Sequence, residues 1–557
     1  MGELLALLPR PCAQRHGEAD AREYGKGLVG RFRELRLQAS RAPTSSRQPP
    51  KGTIARMSVI SPTAVGPLAA IDMGSNSFRL EIGQVQDGRY RRHLYLKETV
   101  RLGAGLDVDG MLTEEATERG LRCLASFAQT LKSSAPMQVR AVATQTLREA
   151  RNRDQFLVRA EAALGHPIEI ISGREEARLI YSGVAFLQPS SKPRLVIDIG
   201  GRSTEMILGD GPTPRVAESF QVGCVSLSMR YFPDGRYTRA AFRAAQVAAG
   251  AELEEALVPF ARRHWREALG SSGTAGAVAD VLKASGKTDG RITAEGLRWL
   301  IERCIECGQV DKLDIPGMKP ERRAVIPGGL AILYTICAQF GIDELFAAKG
   351  ALRQGVIVDL SERLAAGNEA SGHDLRDATV AVLQRRFHAD VDQAERVART
   401  AQRFFASAWP HGDAEMHQEL RWAAALHEVG LMVSHHDHHR HSAYIVSHVD
   451  APGFSQSQQR RLGELVLGQR GGLRKIEAGL SRELTAWQVL CLRLAVIECH
   501  ARGEVDASGL TLSRLAGGGA RLSFSAQWAE DHPRTAYLLR EEAELWARQG
   551  ALLITLN

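Results

Sequence analysis

A short motif of Asp, Gly and Ser occurs twice in the chain, each time after an apolar run. The first copy spans residues 72–77 (DMGSNS) and the second spans residues 198–203 (DIGGRS). A strand that ends in Asp and turns through Gly and hydroxyl residues places a carboxylate beside exposed backbone N–H groups, a combination suited to holding phosphate together with a metal ion. Two copies predict two halves of the molecule that face one polyphosphate-like ligand.

The surroundings of the motif separate it from an ordinary tight turn, which the same residue types also build. Each copy follows an apolar segment, at 68–71 and 195–197, and precedes a segment with alternating apolar residues. This pattern predicts a strand, a turn and a second strand in each copy. The candidate phosphate-binding residues of the two turns are Gly74, Ser75, Asn76, Ser77, Gly200, Gly201, Ser203 and Thr204.

From about Leu68 to the C-terminus, the chain resembles the exopolyphosphatase and guanosine pentaphosphate phosphatase (Ppx/GppA) family of the actin-like superfamily. Several blocks occurring in one order carry this resemblance. Besides the second motif, they are AIDMGSNSF (70–78), ATQTLR (143–148), ISGREEARLI (171–180), GCVS (223–226), SGT (272–274), GALRQG (350–355) and LHEVG (426–430).

The arrangement of apolar residues changes along the chain. Up to about residue 360, strand-like runs alternate with helical stretches, which indicates an α/β fold with two sheets. Helical periodicity then prevails at 380–409, 414–433 and 456–468, before the last segment alternates again. With the resemblance, the predicted fold is α/β, with two actin-like (ribonuclease H-like) lobes around a cleft, followed by an all-α HD-like domain and a small α+β C-terminal domain. The predicted ranges are 1–66 for a disordered basic extension, 67–180 for lobe I, 181–363 for lobe II, 364–500 for the helical domain and 501–557 for the C-terminal domain.

Hydrolysis of a phosphoanhydride needs little more than a carboxylate that orients water and a cation on the phosphate oxygens. The resemblance implies that the catalytic carboxylate is the second Glu of a pair, which is Glu176 in this sequence. The pair opens a predicted helix at 175–186, directly after a strand and a Ser-Gly turn. Without the resemblance, a Glu in the first turn of a helix is an ordinary favourable contact with the helix dipole.

Asp198 and Glu205 are the candidate ligands, or water-shell partners, of Mg²⁺, which prefers oxygen donors and for which Mn²⁺ is a possible substitute. Asp72 is expected on the opposite side of the cleft. Arg148 follows a strand and two threonines, where it is either a bidentate phosphate ligand or an exposed arginine at a helix end. Arg202 stands where relatives have Gly or a small residue, so it either crowds the loop or adds a charge to the phosphate.

Positive charge is unevenly distributed over the 557 residues. The net charge is +7, but residues 1–66 alone hold eleven Lys and Arg against five Asp and Glu. A path for an anionic chain must therefore be local, and no nucleic-acid polymer is required as a partner. The candidate clusters are 262–266, 385–386, 460–461 and 470–475, each with solvated surface as the alternative interpretation.

The sequence also predicts a cytoplasmic location. The longest apolar stretch, 328–338, is too short to span a membrane and reads as a buried helix. The eight cysteines are scattered, as free thiols of a reducing compartment would be. Because the resemblance begins only after Met57, an over-extended start is the simpler interpretation of the N-terminal segment.

Seven of the 17 histidines lie between His427 and His448. The pair His427 and Glu428 resembles the motif of HD phosphohydrolases, but Glu stands where their Asp ligand would be. We expect this domain to be architectural and the tract 435–441 to be a solvated loop, with a second metal-dependent site as the alternative.

The main functional prediction is an exopolyphosphatase that releases orthophosphate from the end of inorganic polyphosphate. The alternatives are a pppGpp 5'-phosphohydrolase, which would use the same residues, and a regulator that binds polyphosphate or (p)ppGpp without turnover. An ATP-dependent sugar kinase or actin-like ATPase is a further alternative on fold grounds, with only residues 271–276 near an adenosine loop. The resemblance also implies a homodimer.

Overall fold

The structure is a computed structural model that describes residues 66–368, 374–503, 509–516 and 518–557. Apart from Gly66, the predicted basic extension at 1–66 lies outside the described residues. The strands are β1 (Leu68–Met73), β2 (Phe78–Gln86), β3 (Arg89–Glu98), β4 (Gln138–Ala143), β5 (Ile168–Ile170), β6 (Arg194–Ile199), β7 (Thr204–Asp210), β8 (Thr213–Phe220), β9 (Glu267–Ser271), β10 (Phe346–Ala347), β11 (Thr511–Arg514), β12 (Ala520–Ser523) and β13 (Ile554–Leu556).

The helices alternate with the strands in the first half of the chain and dominate the second half. They are α1 (Glu114–Ser134), α2 (Gln145–Glu149), α3 (Arg153–Leu164), α4 (Gly173–Leu187), α5 (Cys224–Tyr231), α6 (Arg239–Glu252), α7 (Ser272–Ala284), α8 (Ala294–Cys307), α9 (Ile326–Phe340), α10 (Leu352–Asn368), α11 (Leu375–Arg386), α12 (Val391–Ala408), α13 (Ala414–Ala425), α14 (His438–His448), α15 (Gln456–Gly468), α16 (Glu477–Leu480), α17 (Glu483–Glu498), α18 (Ala526–Asp531) and α19 (Pro533–Gln549).

The two lobes are built on sheets of the same design. The first sheet has the order β3-β2-β1-β4-β5 and the second has the order β8-β7-β6-β9-β10. In each sheet the first three strands form an antiparallel meander, and the next two run parallel to the first. The repeated motif forms the turn between the first two strands of each sheet, so the predicted strand, turn and strand of each copy is confirmed. The predicted fold class, with two actin-like lobes, is confirmed as well.

The first strand of each sheet is covered on both faces. Every residue of β1 (LAAIDM) and of β6 (RLVIDI) is buried, as expected for strands that lie between layers of helices. Helix α9 is buried over most of its length and covers the second sheet, as the apolar stretch 328–338 predicts. The Asp of each motif is thereby carried at the end of a rigid central strand.

Helices α4 and α10 pack against each other and connect the lobes. The apolar residues of both helices share one core with residues of β1 and β6. The predicted boundaries at 180/181 and 363/364 fall inside α4 and α10.

In the helical domain, three details differ from the predicted pattern. The periodicity at 380–409 is interrupted at 387–390, where His388 has a left-handed φ of 51° and the side chain of Asp390 accepts a bond from the Gln393 N–H to start α12. The pattern at 414–433 ends as a helix at Ala425. Only residues 435–437 of the tract 435–441 form an exposed turn, because α14 begins at His438. Burial of the apolar face of α14 favours the helix over an open loop.

The small C-terminal part forms the predicted α+β unit, with the sheet order β11-β12-β13 beside α18 and α19. Its apolar residues, including Leu522 and Trp546, belong to the same core as those of the helical domain. Among the described residues, no helix combines the length and the hydropathy that a membrane crossing demands.

A buried charged cluster joins α10 to lobe I. The carboxylate of Asp359 accepts from Arg140 Nη1 at 2.7 Å and from Arg178 Nη2 at 2.6 Å, and it lies 2.7 Å from Arg363 Nε. Burial alone would raise the pKa of Asp359, but the three guanidinium groups lower it below its ordinary value. Removal of this carboxylate would leave three arginines without their shared counter-ion.

We expect Asp359→Asn to lower the free energy of unfolding at pH 7 by about 3 kcal/mol, because breaking a buried ion pair leaves uncompensated charge. Chemical denaturation measures this loss. Since the folded-state pKa is depressed, the contribution is present above the unfolded pKa of about 4 and is lost as the pH falls through the folded value. Glu302→Gln, which breaks an exposed pair with Arg239, should cost less than about 1 kcal/mol. Equal losses in both variants would contradict the assignment.

Candidate active site

The two repeated turns face each other across a narrow gap. A Cβ added at Gly201 would lie 3.0 Å from the Ser75 Cβ and 3.5 Å from the Asn76 nitrogen. The turn from lobe I therefore touches the turn from lobe II, as the duplication of the motif predicts. Glycine at this position allows the close approach.

Backbone bonds fix both turns to the segments behind them. In lobe I, Gly103 N–H donates to the Ser75 carbonyl at 2.7 Å. In lobe II, the first N–H groups of α5 donate to the carbonyls of Gly200 (2.9 Å) and Gly201 (2.8 Å). These bonds hold the turns in place, and the hydroxyl of Ser77, which is buried beside the gap, has no hydrogen-bond partner among the described residues.

A cavity of about 440 Å³ opens between the lobes at this point. Its wall contains carboxylates from Asp72, Glu176 and Asp198 next to the two turns. Predicted phosphate-binding residues in the wall are Gly74, Ser75, Asn76, Ser77, Gly200, Gly201 and Ser203. Basic side chains complete it, namely Arg79, Arg92, Lys97, Lys319, Arg322, Lys349 and Arg353. The chain beyond residue 66 is nearly neutral overall. The wall of the cleft nevertheless contains more basic than acidic side chains.

Glu176 lies in the first turn of α4, whose first residues follow the Ser172 cap. Its carboxylate is buried and accepts from Arg148 Nη1 at 2.9 Å. Burial raises the pKa of Glu176 to about 7, the ion pair with Arg148 opposes this rise, and the negative charges of Asp198 and Asp72 add to it. A carboxylate poised near neutral pH is suited to general base chemistry.

The two lobes carry different residues at one equivalent position of their sheets. In lobe I, Asp72 is paired across the strands with Arg79, and Arg79 Nη1 donates to its carboxylate at 3.0 Å. In lobe II, Asp198 is paired across the strands with Glu205. Like charges directly opposite each other destabilise a sheet. A bound cation would stabilise the pair of Asp198 and Glu205, whereas Asp72 already has Arg79 as its cationic partner.

Burial and this crowding of acids change the protonation of the second pair. Burial, together with the negative charges of Glu176 and Asp198, raises the pKa of Glu205 well above its ordinary value. Burial also raises the pKa of Asp198, while bonds with the hydroxyls of Ser272 and Ser271 lower it.

The donor set fits Mg²⁺ better than a metal bound entirely by protein ligands. Among the described residues, no group of three or more His, Cys, Asp or Glu side chains is arranged to hold a metal ion. Mg²⁺ takes one or two carboxylates and completes its shell with water and substrate phosphate. Asp198 faces the cavity, whereas Glu205 lies behind it and accepts from the Ser219 hydroxyl at 2.8 Å. Asp198 is therefore the candidate direct ligand, and Glu205 is a candidate partner of the water shell.

Two predicted phosphate ligands are used differently in this structure. The guanidinium of Arg148 donates to the carboxylate of Glu176, to the Gln145 side chain and to the Ile171 carbonyl. It orients the carboxylate and does not line the cavity. The buried Thr204 hydroxyl donates to the Val222 carbonyl and so links the start of β7 to the segment after β8. Neither side chain lines the cavity in this structure, and both phosphate assignments stay predictions.

Sequence reasoning missed the basic wall of the cleft. Three residues that line the cleft, Arg79, Tyr95 and Lys97, lie on the same face of the first sheet as Asp72. Lys97 of β3 is directly opposite Arg79 of β2, and Arg79 is directly opposite Asp72 of β1. The two-residue period of these strands is the signal that identifies them. Arg322 carries no such signal, because it comes from a distant loop and fits against Gly273, where a Cβ would lie 1.7 Å from its Nη2.

Three histidines of the helical domain, His427, His438 and His439, are buried in its packing. His427 is buried, and its Nδ1 lies 2.6 Å from the Ala424 carbonyl. The Arg502 guanidinium donates to Glu428 at 2.6 Å. Burial, together with neighbouring cations, lowers the pKa of both His438 and His439 to about 4.

Two lobes that oppose phosphate-type turns around buried carboxylates define a protein of the actin-like class with a candidate site for phosphorylated ligands. Comparison with known proteins identifies its family. The Ppx/GppA phosphatase family matches residues 82–364, and domain III of the Ppx/GppA phosphatases matches residues 375–543. A guanosine-5'-triphosphate,3'-diphosphate pyrophosphatase of Aeromonas hydrophila is 37% identical over 489 residues, which cover 86% of this chain and 97% of that protein. The chain belongs to the Ppx/GppA phosphatase family.

Solved structures similar to the chain include the following two. A Ppx/GppA enzyme of Aquifex aeolicus is 26% identical, with a TM-score of 0.45, and the match covers 52% of this chain and 98% of that one. An exopolyphosphatase of Cytophaga hutchinsonii is 23% identical, with a TM-score of 0.47, and the match covers 53% of this chain and 97% of that one.

We expect phosphate release to increase with pH through about 7, because Glu176 must lose its proton to act as a base and its pKa is raised to about 7. Arg148→Met removes the guanidinium that favours the carboxylate, so the midpoint should move to higher pH by about one unit. Turnover measured between pH 5.5 and pH 9 tests both statements. Arg215→Ala, which breaks an ion pair on the far edge of lobe II, should leave the midpoint in place. A flat wild-type profile would exclude Glu176 as the titrating group.

Proposed function

We propose that the chain hydrolyses the terminal phosphoanhydride of guanosine 5'-triphosphate 3'-diphosphate and releases orthophosphate. The observation that carries this proposal is the position of Glu176, a buried carboxylate in the same cavity as two opposed phosphate-type turns. Family membership and the 37% identical pyrophosphatase support the same reaction class. Between the two phosphatase activities predicted from the sequence, the named relative favours the nucleotide.

In the proposed reaction, Glu176 holds a water molecule in line with the terminal phosphorus. The water oxygen forms a bond to phosphorus, the bond from phosphorus to the bridging oxygen breaks, and the water proton passes to the carboxylate of Glu176. The shortened nucleotide leaves with the bridging oxygen. Arg148 keeps the carboxylate in position through its bond at 2.9 Å. Turns 74–77 and 200–203 bind the non-reacting phosphate oxygens.

Magnesium bound at Asp198 would neutralise charge on the phosphate oxygens that the two turns leave exposed. The cross-strand pair of Asp198 with Glu205, without a basic partner equivalent to Arg79, supports this placement.

The outer part of the cavity supports a nucleotide with phosphate at two positions. Lys97, Lys319, Arg322 and Lys349 lie in its wall in addition to the turns. A 3'-diphosphate needs cationic partners separate from those of the 5'-triphosphate, and these side chains supply them. Tyr95 also lines the cavity and is partly exposed, and the guanidinium groups of Arg92 and Arg353 lie over its ring.

Inorganic polyphosphate is the second candidate substrate, and a groove in the helical domain favours it. Predicted basic clusters at 460–461 and 470–475 contribute Arg460, Arg461 and Lys475 to this groove, which has a volume of about 670 Å³. Arg440 and Arg482 join them, although Arg461 and Arg482 already have acidic partners. A long polyanion would gain salt-sensitive affinity from such a surface. The homodimer and the cytoplasmic location stay predictions.

We expect Glu176→Gln to reduce phosphate release by at least about a hundredfold while ligand binding stays close to normal, since the amide keeps the shape of the side chain but cannot accept the water proton. Parallel phosphate-release assays on the nucleotide, on long-chain polyphosphate and on ATP measure turnover, and calorimetry measures binding. Turnover of the nucleotide alone would support the first candidate, and turnover of polyphosphate alone would support the second. Binding without turnover in the wild-type protein would make the chain a regulator.

Activity should require Mg²⁺ or Mn²⁺, and Asp198→Ala should raise the metal concentration needed for half-maximal rate more than Glu205→Ala does, because only Asp198 faces the cavity. Metal titration of the rate for both variants and the wild type provides the measurement. Identical metal curves for all three proteins would move the metal site elsewhere.

A further inference from the structure

Arg202 lies in the lobe II turn but reaches into lobe I. Its Nε donates to Glu149 Oε2 at 2.8 Å, its Nη2 lies 2.7 Å from the same oxygen, and its Nη1 donates to the Gly103 carbonyl at 3.2 Å. Both partners belong to lobe I. All three nitrogens of the guanidinium are thus engaged by protein groups across the gap between the lobes.

The bond to Glu149 continues as a chain of side chains. Glu149 Oε1 accepts from Gln145 Nε2 at 2.6 Å, and Gln145 Oε1 accepts from Arg148 Nε at 2.9 Å and from Arg148 Nη2 at 2.6 Å. Arg148 Nη1 in turn donates to Glu176 Oε2 at 2.9 Å. An uninterrupted series of hydrogen bonds therefore connects the lobe II turn to the carboxylate of Glu176.

The positions of these side chains are restricted by their surroundings. Gln145 and Glu149 lie four residues apart on α2, where side chains at this spacing face each other. A Cβ at Gly103 would lie 3.0 Å from the Arg202 Cδ, so the Arg202 side chain runs closely along the lobe I backbone. The ion pair is partly buried, with 23% and 30% of the two side chains exposed, which protects it from full screening by salt.

We propose that Arg202 is a positioning residue that couples contact between the two lobes to the orientation of Glu176, through Glu149, Gln145 and Arg148. Separation of the lobes would break the bonds from Arg202 first, because they cross the gap. Glu149 would then be free to draw Gln145 away from Arg148. This role differs from both sequence-based expectations for Arg202, since the side chain neither crowds the turn nor lines the cavity.

The proposal rests on the hydrolase activity proposed above and predicts that its rate depends on the Arg202 side chain. Arg202→Met removes the charge but keeps most of the length, and we expect kcat to fall about tenfold with KM changed less than about threefold, since misplacement of a catalytic group costs rate rather than binding. Arg202→Lys keeps the charge toward Glu149 and should recover a large part of the loss. Arg215→Ala is the matched control, because it removes an ion-paired arginine of the same lobe and should leave kcat unchanged.

Coupling along the series is tested with Gln145→Leu, alone and combined with Arg202→Met. Residues in one hydrogen-bond network give non-additive effects, so the double variant should be hardly worse than Gln145→Leu alone. If the loss of kcat in the double variant equalled the product of the two single losses, the proposed coupling would be overturned. A rise in KM with unchanged kcat for Arg202→Met would overturn the positioning role, because it would make Arg202 a phosphate ligand.

Hydrogen–deuterium exchange tests the contact without turnover. In Arg202→Met, amides of residues 145–150 and 103–105 should exchange faster, while those of β7 and β8 should keep the wild-type rate. Unchanged exchange would overturn the proposal even in an active enzyme. If the wild-type protein released phosphate from no substrate, the proposed function would fall, and the exchange result would then decide by itself whether Arg202 holds the two lobes together.

Discussion

The site depends on keeping several carboxylates buried beside turns that are built for anions. Glu176, Asp198 and Glu205 repel one another, and burial in a medium of low polarity strengthens that repulsion. Arg148 balances one of them, and hydroxyl donors stabilise others without neutralising them. The rest of the structure follows from this constraint, because rigid central strands and a capped helix are needed to hold like charges in fixed places. In the proposed function, a cation at Asp198 would complete the balance when phosphate adds further negative charge.

Duplication of one sheet design explains how these charges came to lie together, and divergence at one register position explains their different roles. Arg79 in lobe I and Glu205 in lobe II occupy equivalent places opposite the Asp of each motif. Lobe I therefore supplies an Asp72 that is paired with Arg79, whereas lobe II supplies an acidic pair without such a partner, and basic residues of both lobes line the cleft. The same sheet design thus carries a balanced ion pair in one lobe and an acidic pair in the other.

The sequence contains the parts of the site that local patterns encode. The repeated Asp-Gly-Ser turn and the Glu at the start of α4 were predictable, because a strand, a turn and a helix start each have a local signature. The position of Arg322 and the partners of Arg202 were not, because Arg322, Gly103 and Glu149 reach the cleft only through contacts between segments that are distant in the chain. Arg148 and Thr204 were placed on the correct segments, but which polar group each side chain meets depends on tertiary contacts that spacing does not specify.

The helical domain acts on the site through the helix that carries Glu176. The neighbouring Glu175 accepts from the Gly453 N–H at 3.0 Å and from Arg178 on its own helix, and Arg174 pairs with Asp450. The first turn of α4 is therefore held from the helical domain on one side and by Arg148 of lobe I on the other. Because a buried Glu in a helix start has few contacts of its own, these neighbours determine where its carboxylate points. The HD-like domain thereby supports α4, while its buried histidines His427, His438 and His439 take part in its own packing.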